Sequence, residues 1–179
     1  MVYNFCGQQV IKWKKDNLIT NNYRNYSIGL NVEQIENIGY EYAAFKSDGM
    51  IFFPTETNCD IFMIGGGGAG GHNHGGGGGA GAYRLENHTF NGSYNITVGQ
   101  GGNGGTISVP ASNGTRSEIS NGVFTISVDG GGSGGTADQI GQIGQIGFDG
   151  GSGGGGAGWD GFSIKGGGSV VACGYYHSL

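Results

Sequence analysis

Two histidines one residue apart, His72 and His74, interrupt an otherwise glycine-built run from Asp60 to Ala82, DIFMIGGGGAGGHNHGGGGGAGA. Imidazole nitrogens ligate zinc, and His88 or His177 would offer a third donor. A zinc site takes three or four converging nitrogen or sulfur ligands, and nothing in this spacing forces convergence. No metal is assigned. Gly65, Gly67 and Gly70 satisfy G-x-G-x-x-G after an apolar run, with Glu86 placed as a ribose acid would be. That motif offers phosphate the N-terminus of a following helix, and Gly71 to Gly81 cannot supply one. The Gly-Lys-Ser/Thr ending of a phosphate loop is also missing, so no cofactor is expected.

Asp48, Asp60, Asp129, Asp138 and Asp149 lie beside glycine tracts or turns, where aspartate ordinarily caps backbone amides. Cys173 and His177 are four residues apart without a third partner. No nucleophile and base are paired, and the chain reads as a non-enzyme. His72-Asn73-His74 then reads as the tip of a glycine hairpin, a candidate for surface recognition. Of the N-x-S/T matches at Asn25, Asn87, Asn91, Asn95 and Asn113, the candidate glycosylation acceptors are Asn87, Asn91 and Asn113. Asn95 falls within an expected strand.

What must position these residues is mostly glycine, 44 of 179 residues. Ordering one residue costs about 1–2 kcal/mol, and glycine more than most, whereas a hydrogen bond returns about 0.5–1.5 kcal/mol net. Dense glycine is therefore either linker or a packed body in which nearly every amide is paired. The reading taken is the packed one. Extended left-handed helices with three residues per turn suit it, because their outward amides can bond laterally to parallel rods. Gly141, Gly144, Gly147, Gly150, Gly153 and Gly156 fall on every third position, with Ile143 and Ile146 along another edge. Collagen shares that period but needs abundant proline, and this chain has 2 prolines.

Length fits one domain. Apolar residues make up 36% and charged residues 12%, with a net charge of −5. A thin core is expected, and the basic footprint of a nucleic-acid binder is missing. No apolar run approaches the roughly 18 residues of a membrane span. Cys6, Cys59 and Cys173 are odd in number and far apart, which implies free thiols rather than a disulfide framework. No charged-then-apolar leader opens the chain, and with Met1 in place the expectation is assembly inside a cell.

Residues 1–39 read as an arm or docking segment, with an extra strand of the domain's own sheet as the alternative; Glu33 to Ile38 suits a turn of helix. Residues 40–179 read as the glycine-rich domain. Tyr40–Phe45 and Met50–Phe53 are expected to form a hairpin about Ser47-Asp48-Gly49, ended by Pro54. Thr55 to Asn58 form a loop, and Cys59–Ile64 a central strand. Tyr94, Ile96 and Val98 share a face, as do Phe124, Ile126 and Val128. Short strands are expected at 106–109, 115–119 and 123–128, with Asn-Gly turns at Asn113-Gly114 and Asn121-Gly122. Many short strands and no long helix give an all-β fold, a jelly-roll-like β-sandwich with packed polyglycine-II-type helices.

The stretch IFMIGGGGAGGHNHGGGGGAGAYRL, the strand Gly92 to Gly102 (GSYNITVGQGG) and the ending Gly167 to Val171 resemble a group of glycine-rich β-sandwich domains. These recur in tail-fibre adhesins of phages and in structural proteins of large DNA viruses. They are related to the glycine-rich region of anaplastic-lymphoma-kinase-type receptors. The resemblance spans about residues 40–173 and implies a non-enzymatic virion protein at the particle surface, capsid-associated or a fibre or adhesin. Its partners would be other capsid proteins or a host surface receptor, and a homo-oligomer, a trimer among the orders, is expected. The alternative is a secreted or cell-surface ligand or receptor module, extracellular in location.

Overall fold

The computed structural model describes residues 9–14, 32–37, 40–137, 146–159 and 162–163. The described residues are all β or extended, without a helix. Strands β1 (Gln9–Lys14), β2 (Val32–Asn37), β3 (Tyr40–Phe45), β4 (Gly49–Ile64), β5 (Tyr83–Thr97), β6 (Ser117–Ser120) and β7 (Thr125–Val128) join one antiparallel sheet in the order β2-β3-β1-β4-β5-β6-β7. A separate pair is made by β8 (Gly158–Trp159) and β9 (Phe162–Ser163).

The centre of the sheet is the long pair β4–β5. Gly49–Phe53 pairs with Gly92–Ile96, and Thr57–Ile64 pairs with Tyr83–Phe90. The register shifts between Phe53 and Thr57. Pro54 sits inside that irregularity, where its missing N–H interrupts no ladder bond, so it does not end β4. The expected loop at Thr55–Asn58 is likewise part of the strand.

Alternation does the rest. On β4, Ile51, Phe53, Cys59, Ile61 and Met63 turn inward, and on β5 so do Phe90, Tyr94 and Ile96. With Ile11, Phe45, Val98, Ile119, Ile126 and Val128 they make one apolar cluster drawn from both halves of the long strands. Each fully buried side chain of this size contributes about 1.5–3 kcal/mol. Phe53 stacks on Phe90 at 5.3 Å, and Phe90 meets Tyr94 edge-on at 4.7 Å. Phe124 packs against the cluster from the β6–β7 turn.

Several local expectations change. Tyr40–Phe45 and Met50–Phe53 do not pair with each other. β3 lies between β2 and β1, and the start of β4 pairs with β5. Lys46–Asp48 is therefore a corner rather than a hairpin turn, tied down by Val98 N–H donating to Asp48 Oδ1 at 2.8 Å. Val32–Asn37 is a strand, where a helical turn was expected. Thr106–Val109 is a tight turn, with Thr106 N–H donating to the Val109 carbonyl at 2.8 Å. The Asn121-Gly122 turn is present: Asn121 N–H donates to Phe124 O at 3.1 Å, and Gly122 has φ +86°. Asn113-Gly114 is not a turn but part of the glycine body.

That body hangs from the ends of β4, β5 and β7. Gly65, Gly68 and Gly71 donate to the carbonyls of Ala82, Gly79 and Gly76, stepping three residues at a time. Gly66 and Ala69 donate to Thr115 and Ser112, again three apart. The carbonyls of Gly66, Ala69 and His72 accept from Gly131, Gly134 and Ala137, and those of Gly67 and Gly70 accept from Gly102 and Gly105. Every third residue of this tract thus faces the same neighbour, and four neighbours surround it. The outer tracts bond likewise: Gly76, Gly79 and Ala82 donate to Gly135, Gly132 and Asp129. Gly77 and Ala80 accept from Gly155 and Ser152.

Backbone angles are not what selects glycine here. Among the described residues, glycines with positive φ are Gly92 and Gly122, both outside the tracts. Space is what selects it. A Cβ on Gly68 would fall inside van der Waals distance of the Gly132 carbonyl, and one on Gly131 inside that of Gly79. Gly141 and Gly144, a third of the period-three series, and Ile143 lie outside the described residues; Ile146 is exposed.

Candidate functional site

The His72-Asn73-His74 turn caps the two tracts that follow β4. Asn73 and His74 take left-handed angles, φ 48° and 54°, a conformation costly for most L-residues but accessible to asparagine and histidine. Three hydrogen bonds to its backbone hold the turn down. His72 N–H donates to Thr136 Oγ1 at 3.3 Å and its carbonyl accepts from Ala137 at 3.2 Å. The His74 carbonyl accepts from Gly158 at 3.0 Å. His74 is exposed, but His72 and Asn73 are half-buried against neighbouring tracts. The tip is therefore seated on the lattice and not a free loop. Its imidazole Nδ1 on His72 and amide nitrogen on Asn73 are shielded from solvent without a hydrogen-bond partner among the described residues.

The structure does not bring His88 to this tip as a ligand. Among the described residues, no three His, Cys, Asp or Glu side chains converge. His88 belongs to β5, opposite Cys59. Its ring stacks on Phe124 at 4.3 Å and meets Phe90 edge-on at 4.9 Å, so it extends the aromatic core. His177 and Cys173 lie outside the described residues, as do Cys6, Asn25 and Asp138. Cys59 is buried and free, and burial together with the neighbouring Asp60 charge pushes its thiol up to about 12. A thiol held protonated is a poor nucleophile.

The glycines of the G-x-G-x-x-G match have their own partners. Gly65, Gly66 and Gly68 N–H groups donate to Ala82, Thr115 and Gly79, and the carbonyls of Gly67 and Gly70 accept from Gly102 and Gly105. No helix follows them among the described residues.

The three acceptor candidates differ sharply. Asn113 is a structural side chain: its Nδ2 donates to Asp149 O at 3.1 Å, and its Oδ1 accepts from Ser133 N–H at 2.8 Å. It stands in for a backbone amide between two tracts. Asn87 and Asn91 lie on the outward face of β5, both exposed. Asn91 sits opposite the β4 irregularity, beside Gly92 with φ +85°. Because side chains alternate along a strand, each N-x-S/T triplet here puts its Asn and its hydroxyl on the same side.

Reading residue by residue missed the extent of that face. Asn87, Thr89, Asn91, Ser93, Asn95 and Thr97 are all exposed and all neutral. The signal was in the sequence as an unbroken alternation, and reading it as separate N-x-S/T triplets obscured it. Among the described residues, the charges beside this row are Asp60, opposite Asn87, and Glu118, opposite Thr97. Arg84 pairs with Glu86 on the opposite face of β5, and Arg116 reaches Asp129 at 2.8 Å beside the lattice.

Fold and site together define an all-β domain whose glycine tracts are held by backbone bonds. A family model described as a glycine-rich domain matches residues 46–176, and the chain belongs to that family. No curated protein and no solved structure matches it.

Proposed function

We propose that this chain is a non-enzymatic structural protein of a virus or phage particle, capsid-associated or a surface fibre or adhesin. In this reading the tracts are polyglycine-II-type helices, and the strands form a jelly-roll-like sandwich about them. The observation that carries it is the three-residue step of the lateral hydrogen bonds around Gly65–His72, the period of a three-fold extended helix. Such a body is stiff without a large apolar core, and it presents the exposed His74 at one end. The partners proposed are other particle proteins or a host surface receptor, and the chain is proposed to self-associate, with a trimer among the orders open to it. Immunogold labelling and peptide mass spectrometry of purified particles test this. Regularly spaced label with stoichiometric recovery is expected. A soluble monomer recovered apart from particles, binding neither its own copies nor a cell surface, overturns it.

The exposed triplets at Asn87 and Asn91 favour a second reading, a secreted or cell-surface ligand or receptor module. Expression behind a secretion signal in eukaryotic cells would then give a product whose mass falls on treatment with an N-glycan amidase. An unchanged mass removes the support for it.

A further inference from the structure

Asparagine is depleted in strands, and solvent-facing positions ordinarily mix in charges. The outward face of β5 does neither of the expected things, carrying Asn87, Thr89, Asn91, Ser93, Asn95 and Thr97 in strict alternation. Folding does not account for this row, and sites that override local preference are where function is to be sought. The row widens across the sheet. Asn95 is paired with Ser120 and Ser120 with Thr125, the two hydroxyls 2.9 Å apart. Toward β4, Asn58 and Asn87 exchange amide hydrogen bonds at 2.7 and 2.8 Å, and Asn87 also donates to Asp60 at 2.9 Å. Groups held by one another have their orientation fixed before a ligand arrives, which lowers the cost of binding. They recur about every 6.6 Å along a strand and about every 4.8 Å across strands. Aromatic rings share this face: Phe52, paired with Ser93 and 40% exposed, with Met50 two residues away at 46%, and Tyr83 at the start of β5.

We infer that this face binds an uncharged carbohydrate chain. Amides and hydroxyls both donate and accept, which is what sugar hydroxyls require of a surface. The apolar C–H faces of pyranose rings pack on an aromatic ring, a place Phe52 supplies. The row on β5 has no formal charge, and the carboxylates that flank it on neighbouring strands, Asp60 opposite Asn87 and Glu118 opposite Thr97, would repel an acidic chain, so it complements a neutral ligand rather than an acidic one. A protein partner would call for a cluster of aromatic and arginine anchors at the centre of the contact, whereas here amides and hydroxyls fill the row and Phe52 is the aromatic set opposite them. The inference is independent of whether the chain belongs to a particle, and its test uses the chain alone.

The test is affinity electrophoresis of the full chain, made in bacteria so that it carries no N-glycan. Native gels contain dextran, mixed-linkage β-glucan, galactomannan or soluble glycol chitin, with hyaluronate as the anionic comparison. Retardation is expected in at least one neutral gel, with apparent affinity lowered roughly tenfold or more by Phe52→Ala and by Asn95→Lys. Ile107→Ser, in the 106–109 turn and 61% exposed, is expected to leave it unchanged. Matching circular dichroism spectra and melting temperatures establish that the variants fold. Retardation in hyaluronate only, none in the neutral gels, or no response to Phe52→Ala and Asn95→Lys overturns the inference. So does loss of self-association in those variants without any sugar binding, which would make the face a contact between copies.

Discussion

Ser117 Oγ donates to the Ile64 carbonyl at 2.7 Å and accepts from Gly99 N–H at 2.8 Å, tying the last residue of β4 to the first glycine after β5. The side chain is fully buried. It stands where sheet gives way to glycine body, and does with one hydroxyl what a ladder bond does elsewhere. Replacing it by alanine leaves a carbonyl and an amide buried without partners, each costing about 1–3 kcal/mol. Ser117→Ala is expected to lower unfolding free energy in urea by at least about 2 kcal/mol. A change within about 0.5 kcal/mol would mean that water reaches both groups.

The tracts give a paired experiment on glycine. Gly68→Ala places a methyl against the Gly132 carbonyl, and Gly77→Ala places one in open space. Overpacking against backbone costs about 1–3 kcal/mol or more, and Gly68→Ala is expected to exceed that range because the lattice cannot shift one tract alone. Gly77→Ala is expected to be neutral or to stabilise by about 0.4–1 kcal/mol, through the unfolded chain's lost freedom. Thermal melts of the two variants decide it, and equal melting temperatures would contradict steric selection of glycine.

Asn113 offers a third measurement. Its amide bridges Asp149 and Ser133. Asn113→Ala is expected to destabilise by about 1–3 kcal/mol. Asn113→Asp keeps the acceptor for Ser133 but turns an anionic oxygen toward the Asp149 carbonyl oxygen, so it should recover little of what alanine loses. Urea titration of both variants checks this.

Cys59 ties stability to alkaline pH. Its thiol is raised to about 12 in the folded protein, first by burial and then by Asp60, whereas an exposed thiol titrates near 8.5. The unfolded chain therefore loses this proton first as pH rises. The stability it confers is complete below about pH 8.5 and declines from there toward pH 12. Stability curves for wild type and Cys59→Ala should converge in slope below pH 8 and part above pH 9. In a Cys6→Ser, Cys173→Ser background, Cys59 should resist a disulfide-exchange reagent at pH 8 until urea is added. Rapid native labelling would overturn both expectations.

How much of this could be read from residues alone depends on range. Tyr94, Ile96 and Val98 declared one inward face, and all are buried. Ile126 and Val128 did the same. The Asn121-Gly122 turn was legible because a positive φ there asks for glycine. Partners across long separations were not. Phe45 and Met50 flank an ideal hairpin signal, but β1 and β2 arrive from earlier in the chain and take both edges of β3. Pro54 looked like a terminator because its effect on a ladder is local, whereas β5 pairs on both sides of it and carries the strand through. Thr106–Val109 has β-forming residues, but lateral bonds on the preceding tract left it no sheet to join. At the tip, the histidine pair was visible and its seating was not, since Thr136 and Gly158 come from far along the sequence.

The tract Gly65–His72 has consequences for time as well as stability. Its partners come from residues 76–82, 102–105, 112–115 and 131–137, so most of the chain must be in place before its bonds close. Folds dominated by distant pairing assemble in milliseconds to seconds rather than microseconds. This one has almost no side chains in its body to guide collapse. Newly made chains should remain vulnerable until the segment near residue 137 has left the ribosome, after which the molecule locks as a unit.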